Sequence, residues 1–520
     1  MNILKENMEF LEGITPRDYQ QKIFETCVKK NCLVVLPTGL GKTLIALMLT
    51  IKRMKEFPGE KVVFLAPTKP LAEQHLDSFK KYLPELFGDM HLFTGMVKAE
   101  QRKKIWQTAD IIFSTPQCVA NDLRNYLYNL KDVCLFIEDE AHRCINNYDY
   151  NYLAQKYQNQ ANHPRILGLT ASPGSEASKI KEICRNLSIS EVELRTRDSE
   201  DVKKYLQKLE FKKIMVDFPA EFEELKQTIL KIFNKYVKEL KNRKLLFRFP
   251  SKTELINLQK RLSRLIMKGR NFNYMFGASA CAQAVKLQHA LELLETQTLS
   301  SFNKYLKNLL NQAAKQQSKG VVKLVAKPEF NLIHNKSNEL LLKNVEHPKL
   351  AKLVEIINQE KINNNQVKII VFTQFRDTAK IISENLNKIE GIKAKVFVGQ
   401  AKKQGSGLNQ KQQKQIINEF SRGGINVLCA TCIAEEGLDI PEVNAVVFYE
   451  PIPSAIRTIQ RAGRTARLMK GKLIMLITKN TRDEAFFYVS KSREKKMHSA
   501  IKTIKKQLNE NKLEYQKKLK

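Results

Sequence analysis

The chain has 520 residues, of which 43% are hydrophobic, enough for several globular domains of about 150 residues each. Its 88 Lys and Arg against 54 Asp and Glu give a formal net charge of +34, so we expect a polyanionic partner, although a lysine-rich genome bias would produce part of the same excess. No apolar run approaches the roughly 18 residues of a membrane span and the start of the chain carries no signal-peptide pattern, which argues against a membrane protein and predicts a cytoplasmic one.

The first polar motif is Arg17-Asp18-Tyr19-Gln20, shortly before a glycine-rich turn. Gln20 could read adenine, because an amide both donates and accepts hydrogen bonds. In isolation, a surface glutamine is the more ordinary interpretation.

A strand, a glycine-rich turn and a helix follow in that order. Cys32 to Leu36 predicts a buried strand, Pro37-Thr38-Gly39-Leu40-Gly41-Lys42-Thr43 forms the turn, and Leu44 to Leu49 begins the helix. Backbone N–H groups of such a turn favour a polyphosphate. Lys42 can then reach the β- and γ-phosphates of a nucleotide, and the Thr43 hydroxyl can hold Mg²⁺. Leu36 stands where the usual pattern has glycine, so only the Gly-Lys-Thr core of that pattern remains.

Small polar residues stand at the exits of the next strands. Lys61 to Ala66 predicts a strand that ends before Thr68, and Thr115 follows another apolar run. Because strands and helices alternate, we expect a parallel sheet with ligands at the carboxyl ends of its strands. Hydroxyl and N–H groups there suit sequence-independent contacts with the phosphates of a nucleic-acid strand.

Adjacent carboxylates end the apolar strand that begins at Val133. In a chain that already holds a Gly-Lys-Thr turn, they predict the second half of an ATP site. Asp139 would bind Mg²⁺ and Glu140 would polarise the attacking water. Glu138 should face away from Asp139, since side chains alternate along a strand.

Another apolar strand runs from Arg165 into two hydroxyl residues. Thr170 and Ser172 could link the carboxylates to a bound strand of nucleic acid. The segment alone proves nothing.

The region from Glu221 to about Glu346 is predicted to be helical. Its apolar residues recur at helical spacing, beginning with Phe222, Leu225, Ile229, Ile232, Tyr236 and Leu240. Lysines and arginines fill the intervening faces. A solvated basic bundle and a clamp on a nucleic-acid duplex both fit this pattern, and we favour the clamp.

Strand and helix alternation resumes at His347. Apolar runs near residues 369, 394, 427, 445 and 472 predict a second parallel domain, which lacks a phosphate loop. One ATP site shared between two similar domains is therefore expected. Cys429 and Cys432 form a CxxC pair without a second pair or a histidine cluster, so we interpret these cysteines, like the other seven of the nine, as reduced packing residues.

The second domain also supplies Glu435 to Pro441 and Gln460 to Arg467. Arg464 and Arg467 are three residues apart, hence on one side of a helical turn, where two guanidinium groups could face one triphosphate. Such arginines can be worth about 10³ to 10⁵ in rate. The lysine-rich tail from Lys491 to Lys520 is either a solvated end or an added phosphate contact.

Taken together, the motifs resemble a superfamily 2 helicase of the DEAH-box type, and within it the family of the archaeal Hef helicase and the Fanconi anaemia M translocase. The residues that carry the resemblance are LGLTASPG (167–174), HPKL (347–350), FVGQA (397–401), AEEGLDIPEV (434–443) and FYEPIPSAIR (448–457).

The resemblance implies an α/β fold, with two RecA-like parallel-sheet motor domains and an all-helical insertion domain between them. We expect a first motor domain at 1–205, the insertion at 206–346, a second motor domain at 347–490 and a basic helical tail at 491–520. The implied function is an ATP-dependent DNA helicase or translocase, with Mg²⁺, that acts on forked or branched DNA in repair.

By the same resemblance, site residues can be assigned. Gln20, the turn from Pro37 to Thr43, and Asp439 would bind the nucleotide, with Lys42, Thr43, Asp139 and Glu140 binding and hydrolysing Mg-ATP. Gln460, Arg464 and Arg467 would complete the site from the second domain. The residues expected near the tracked strand are Thr68, Thr115, Thr373 and Thr431.

Two departures from the family and two rival functions remain. Ala466 stands where the last motif usually has glycine, and no nuclease motif is found, so a separate nuclease or a sliding clamp is a possible partner of a monomeric chain.

A double-stranded RNA translocase is the nearest rival. A non-catalytic nucleic-acid scaffold is the other, although a scaffold has no need of the hydrolytic residues.

Overall fold

The computed structural model describes residues 11, 13–206, 209–269, 271–364, 366–399, 407–431, 440–454 and 471–518. Within these ranges no helix has the length and apolar character needed to cross a bilayer. The chain forms two parallel α/β domains with a helical bundle between them, as the sequence predicts.

The first domain is built on seven strands that pair in parallel in the order β3-β4-β2-β5-β6-β1-β7. The strands are β1 (Cys32–Val35), β2 (Lys61–Leu65), β3 (Met90–Phe93), β4 (Ile111–Ser114), β5 (Val133–Asp139), β6 (Ile166–Thr170) and β7 (Glu191–Leu194). Helices connect them: α1 (Asp18–Lys29), α2 (Lys42–Glu56), α3 (Lys69–Tyr82), α4 (Ala99–Thr108), α5 (Pro116–Arg124), α6 (Asp149–Gln160), α7 (Ala177–Asn186) and α8 (Glu200–Lys203), with 3₁₀ turns at Glu85–Phe87 and Ala141–Arg143.

Helices cover both faces of this sheet, and β1 shows why. Leu33 and Val35 pack into one hydrophobic core, while Cys32 and Val34 pack into the core on the other face. Successive side chains of a strand point to opposite faces, so a strand buried on both sides must be apolar throughout. The continuous apolar run Cys32 to Leu36 meets that condition.

The insertion is a bundle of helices around one core. The helices are α9 (Ala220–Asn242), α10 (Lys252–Lys268), α11 (Phe272–Thr296), α12 (Leu299–Ala314), α13 (Lys319–Val325) and α14 (Pro328–Leu342). All six apolar residues that predicted the first helix are buried in this core. Side-chain caps fix several helix starts, because Ser251, Asn271 and Thr298 each accept a hydrogen bond from a backbone N–H of the first turn.

The second domain has six parallel strands in the order β10-β11-β9-β12-β13-β8. They are β8 (Leu209–Val216), β9 (Ile369–Phe372), β10 (Ala394–Phe397), β11 (Val427–Ala430), β12 (Ala445–Phe448) and β13 (Gly471–Thr478), with helices α15 (Pro348–Asn363), α16 (Arg376–Leu386) and α17 (Gln410–Ser421). The expected start of the insertion at residue 206 is therefore corrected, because β8 pairs with β13 over its whole length and extends the second sheet at its edge.

The C-terminal helix α18 (Arg482–Lys518) also differs from the separate tail expected from residue 491. Its apolar residues Met497, Ile501 and Ile504 are buried in the core of the first domain, beside α7 and β7. Phe487, near its start, belongs to the core of the second domain. The helix thus spans both α/β domains, since burial of its apolar side chains outweighs the solvation of its lysines.

Candidate active site and nucleic-acid surface

The glycine-rich turn lies at the carboxyl end of β1 and leads into α2, which begins at Lys42. Gly39 and Gly41 have φ of +83° and +79°, a region that glycine enters without strain. Lys42 Nζ donates to the Leu36 carbonyl at 2.9 Å. The Thr38 hydroxyl is buried and has no hydrogen-bond partner among the described residues.

Gln20 and Tyr19 hold this turn from α1. The Gln20 amide donates to the Leu40 carbonyl at 3.1 Å and accepts from the Arg17 N–H at 2.8 Å, and the Tyr19 hydroxyl donates to the same Leu40 carbonyl at 2.8 Å. A Cβ on Gly41 would lie 2.2 Å from Gln20 Nε2. Gln20 therefore positions the turn, and its amide retains one N–H and one lone pair for a nucleotide.

Asp139 ends β5 and is paired with a histidine that the sequence did not single out. His75 Nε2, on α3, lies 2.9 Å from Asp139 Oδ2. Burial alone would raise the pKa of the Asp139 carboxyl, but the His75 hydrogen bond and the positive charges of His75 and Lys42 lower it below its ordinary value. The carboxylate is thus held ionised close to Lys42. In the sequence, the only indication of this role is that His75 lies on the apolar face of α3, four residues from both Leu71 and Phe79.

Glu140 and Glu138 are in different environments. Glu140 is buried, has φ of +51° and lies 3.2 Å from His142 Nδ1. A non-glycine residue in this conformation is uncommon and is concentrated at functional sites. Glu138 is fully buried, and burial raises the pKa of its carboxyl well above the ordinary value, so it is held uncharged.

Thr170 and Ser172 connect the carboxylate region to α18. The His142 ring lies 3.3 Å from the Thr170 hydroxyl, which donates to the Ser172 carbonyl at 3.1 Å. The Ser172 hydroxyl lies 2.8 Å from Met497 Sδ. A continuous set of contacts therefore runs from Glu140 to the C-terminal helix.

Of the four threonines expected to contact a nucleic-acid strand, two lie in the first domain and two in the second. Thr68 and Thr115 immediately precede α3 and α5, at the carboxyl ends of the neighbouring strands β2 and β4. Thr68 is exposed and Thr115 is half-buried. Two helix N-termini thus open at one edge of the first sheet, an arrangement that favours phosphate.

Thr373 and Thr431 lie at the ends of the paired strands β9 and β11 but are buried. The Thr373 hydroxyl donates to the Gln297 side chain of the insertion at 3.3 Å. The side chain of Thr373 thus joins the second domain to the insertion and is not exposed to a ligand, so its contact with nucleic acid stays a prediction. Thr431 is 5% exposed and offers little surface to a ligand.

The predicted contributions of the second domain, Asp439, Gln460, Arg464 and Arg467, lie outside the described residues, as does Cys432. Cys429 is buried within β11. No group of His, Cys, Asp and Glu suited to a metal ion was found in the part of the chain that the structure describes.

Three family models match this chain. The DEAD/DEAH box helicase model matches residues 17–180, the helicase conserved C-terminal domain matches 348–469, and "Putative ATP-dependent RNA helicase, helical bundle" matches 221–347. The first contains the glycine-rich turn and the Asp139-Glu140 pair. The third coincides with the insertion.

Similar proteins include "Putative ATP-dependent RNA helicase MJ1505" of Methanocaldococcus jannaschii, 38% identical over 94% of this chain and 61% of that protein. The ATP-dependent DNA helicase fml1 of Schizosaccharomyces pombe is 30% identical over 90% and 57%. The Fanconi anemia group M protein homolog of Mus musculus is 30% identical over 93% and 26%. The chain thus spans less than two thirds of each of these relatives. The crystal structure of the Pyrococcus furiosus Hef helicase domain is 42% identical, with a TM-score of 0.69 over 91% of this chain and 98% of that domain.

Proposed function

This chain belongs to the ATP-dependent helicases of superfamily 2, in the group of Hef and the Fanconi anaemia M protein, and from that premise we propose that it is an ATP-driven motor on forked or branched DNA. The observation that carries the proposal is that the glycine-rich turn after β1, with Lys42 at the start of α2, and the ionised Asp139 at the end of β5 lie at the carboxyl ends of the same parallel sheet, where the Lys42 charge helps to lower the Asp139 pKa. A helicase of this group acting on DNA branches would serve replication-fork repair.

The glycine-rich turn fits a polyphosphate. Gly39 and Gly41 have positive φ, which lets the turn adopt the conformation in which successive backbone N–H groups point at one ligand. The buried Thr38 hydroxyl has no partner among the described residues, and the Lys42 ammonium is satisfied by the carbonyl of Leu36, which a phosphate oxygen would replace with a stronger, charge-assisted bond.

The roles of the first-domain residues follow from their positions. Lys42 would bind the β- and γ-phosphates of ATP, while Thr43 and Asp139 would hold Mg²⁺. Bound Mg²⁺ would supply positive charge that neutralises the phosphate oxygens. Glu140 would orient the attacking water and accept its proton. His75 would keep Asp139 in place.

Residues of the second domain would complete the site. Arg464 and Arg467, with Gln460 and Asp439, would act from across the cleft, so closure of the cleft would couple hydrolysis to movement. Contacts between the domains support a shared site. Lys414 of α17 pairs with Glu73 of α3 at 2.9 Å, and α18 packs into both domains.

DNA as substrate is supported by charge and by the named relatives. The net charge of +34 suits a polyanion, and the helix N-termini at Thr68 and Thr115 suit its phosphates. Several relatives carry the name DNA helicase. The insertion would clamp the duplex as the motor, acting as a monomer, moves. A separate nuclease or a sliding clamp would be its partner.

The test is the steady-state rate of ATP hydrolysis with forked DNA, linear duplex DNA and a matched RNA duplex at fixed salt. We expect the fork to stimulate most, and Lys42→Ala to abolish the stimulation. Equal rates with and without nucleic acid would contradict a nucleic-acid motor, and no hydrolysis with any of the three would support a scaffold.

A double-stranded RNA motor is the second candidate. It is favoured by the names of the helical-bundle family model and of the Methanocaldococcus relative, both of which specify RNA. Strongest stimulation by the RNA duplex in the same assay would establish it in place of DNA.

A further inference from the structure

Two phenylalanines between α9 and α10 are held out in solvent. Phe247 is 78% exposed and Phe249 is 82% exposed. The segment itself is anchored, because Leu245 and Leu246 are buried and Arg261 donates to the Leu245 carbonyl at 2.7 Å. The exposure of the two rings is therefore a property of a fixed segment, and it leaves their faces open to a ligand.

The sequence that contains these rings is rich in positive charge, and Arg261 of α10 contacts their segment through the Leu245 carbonyl. Between Arg243 and Phe276 the sequence contains nine Lys or Arg and one Glu. On α10, Lys260, Arg264 and Lys268 recur every four residues, and with Arg261 they form a positively charged face of that helix. None of these four forms an ion pair with a carboxylate among the described residues. Arg248, between the two phenylalanines, is also exposed.

Aromatic faces beside cations match the chemistry of an unpaired nucleic-acid strand. Bases stack on exposed aromatic rings while phosphates follow a positive groove, whereas the bases of a duplex are already stacked on each other. We propose that this outer surface of the insertion, formed by Phe247, Arg248, Phe249 and the cations of α10, binds an unpaired arm of branched DNA by stacking bases on the two rings.

This inference rests on the proposed DNA function and adds a base-stacking site to the duplex clamp. The test compares wild type with the double variant Phe247→Ala/Phe249→Ala. The matched control is Leu342→Ala, which removes an apolar side chain that is 83% exposed on α14 of the same bundle. Affinity is measured by fluorescence anisotropy on three DNAs: a fork with unpaired arms, the same fork with abasic arms, and a blunt duplex.

We expect the double variant to bind the fork at least about five-fold more weakly than wild type and to bind the blunt duplex equally well. Replacing the arms by abasic ones should weaken the binding of wild type by the same factor and should not weaken the binding of the variant any further. The double variant Phe247→Trp/Phe249→Trp should bind the fork as tightly as wild type. That result would exclude misfolding as the cause of the weaker binding of the alanine variant.

The salt dependence separates the rings from the cations. Replacing Lys260, Arg264 and Lys268 by Ala should lower the slope of log K against log salt by about 2, at roughly 0.7 per phosphate of a single strand, while the phenylalanine variant should keep the wild-type slope.

Wild-type binding of all three DNAs by the phenylalanine variant would overturn the inference and direct attention to a protein partner for the rings. Equal weakening on fork and duplex would overturn it as well. If forked DNA stimulates wild-type ATP hydrolysis and the variant still binds normally, only this inference fails. If no DNA stimulates hydrolysis, the proposed function itself is contradicted.

Discussion

The hydrogen bond between His75 and Asp139 is a contact on which the proposed magnesium site depends. We predict that His75→Ala lowers DNA-stimulated ATP turnover by about 10- to 100-fold and raises the Mg²⁺ concentration needed for half-maximal rate, because the carboxylate loses its positioning partner. A Mg²⁺ titration of the hydrolysis rate measures both. His91→Ala is the matched control, since His91 pairs with Asp89 at 2.7 Å on the surface. An unchanged Mg²⁺ titration in His75→Ala would contradict this role.

His347 links stability to pH. It is fully buried and accepts a hydrogen bond from the Lys349 N–H at 3.3 Å, and burial lowers its pKa well below the ordinary 6.5. Below pH 6.5 this histidine is protonated in the unfolded chain but stays neutral in the folded chain. The free energy of unfolding therefore decreases as the pH falls from 6.5 towards the folded pKa.

The loss from His347 should reach about 1.4 kcal/mol per pH unit. Denaturant unfolding of wild type and His347→Asn at several pH values between 7.5 and 5 measures it, with the asparagine retaining an acceptor at this helix start. We expect the variant to show a shallower fall. Parallel pH profiles for the two proteins would show that His347 titrates normally.

Some residues of the candidate site can be predicted from the sequence, and others cannot. The Gly-Lys-Thr turn and the Asp139-Glu140 pair are visible in the sequence because their chemistry requires adjacent residues. The contacts of His75 with Asp139 and of Thr373 with Gln297 are not, because each joins residues that are distant in the chain.

At the level of elements, α18 is expected to contribute to the stability of the first domain. Ile501 is 1% exposed within that domain's core. We predict that Ile501→Ala costs about 2–5 kcal/mol of unfolding free energy, whereas Lys502→Ala, at an exposed neighbouring position, changes it by less than about 0.5 kcal/mol. Chemical denaturation compares the two, and equal midpoints would mean that the helix does not dock.

Helical spacing was sufficient to predict the insertion, whose first helix buries all the residues that the pattern marked. It did not place β8, whose first half is mostly exposed and whose partner β13 lies more than two hundred residues later. The apolar positions of α18 were present at i, i+4 and i+7, but its lysines suggested a solvated tail. In both cases a distant segment determines the packing.

For the whole molecule, a buried ion pair of the second domain, between Lys349 of α15 and Asp483 of α18, also contacts the insertion through a Lys349 hydrogen bond. Lys349 Nζ donates to Asp483 Oδ2 at 2.7 Å and to the Thr296 carbonyl at 2.6 Å, and both charged side chains are fully buried. Lys349→Met leaves Asp483 buried without its partner and should cost about 3–5 kcal/mol. Thermal or chemical unfolding measures the loss.

The control for that pair is Lys352→Met, which breaks the exposed Lys352–Glu355 contact at 2.7 Å and should cost about 0–1 kcal/mol. If the two substitutions cost the same, the buried Lys349–Asp483 pair contributes no more to the stability of the fold than an exposed one.

Under the proposed function, hydrolysis drives movement on branched DNA, and displacement of a labelled strand from a fork measures that movement. Wild type with Mg-ATP should release the strand, while Lys42→Ala, or wild type with a non-hydrolysable ATP analogue, should bind the fork without releasing it. Hydrolysis that is stimulated by the fork but leaves the labelled strand in place would show that the protein is not a motor that separates strands.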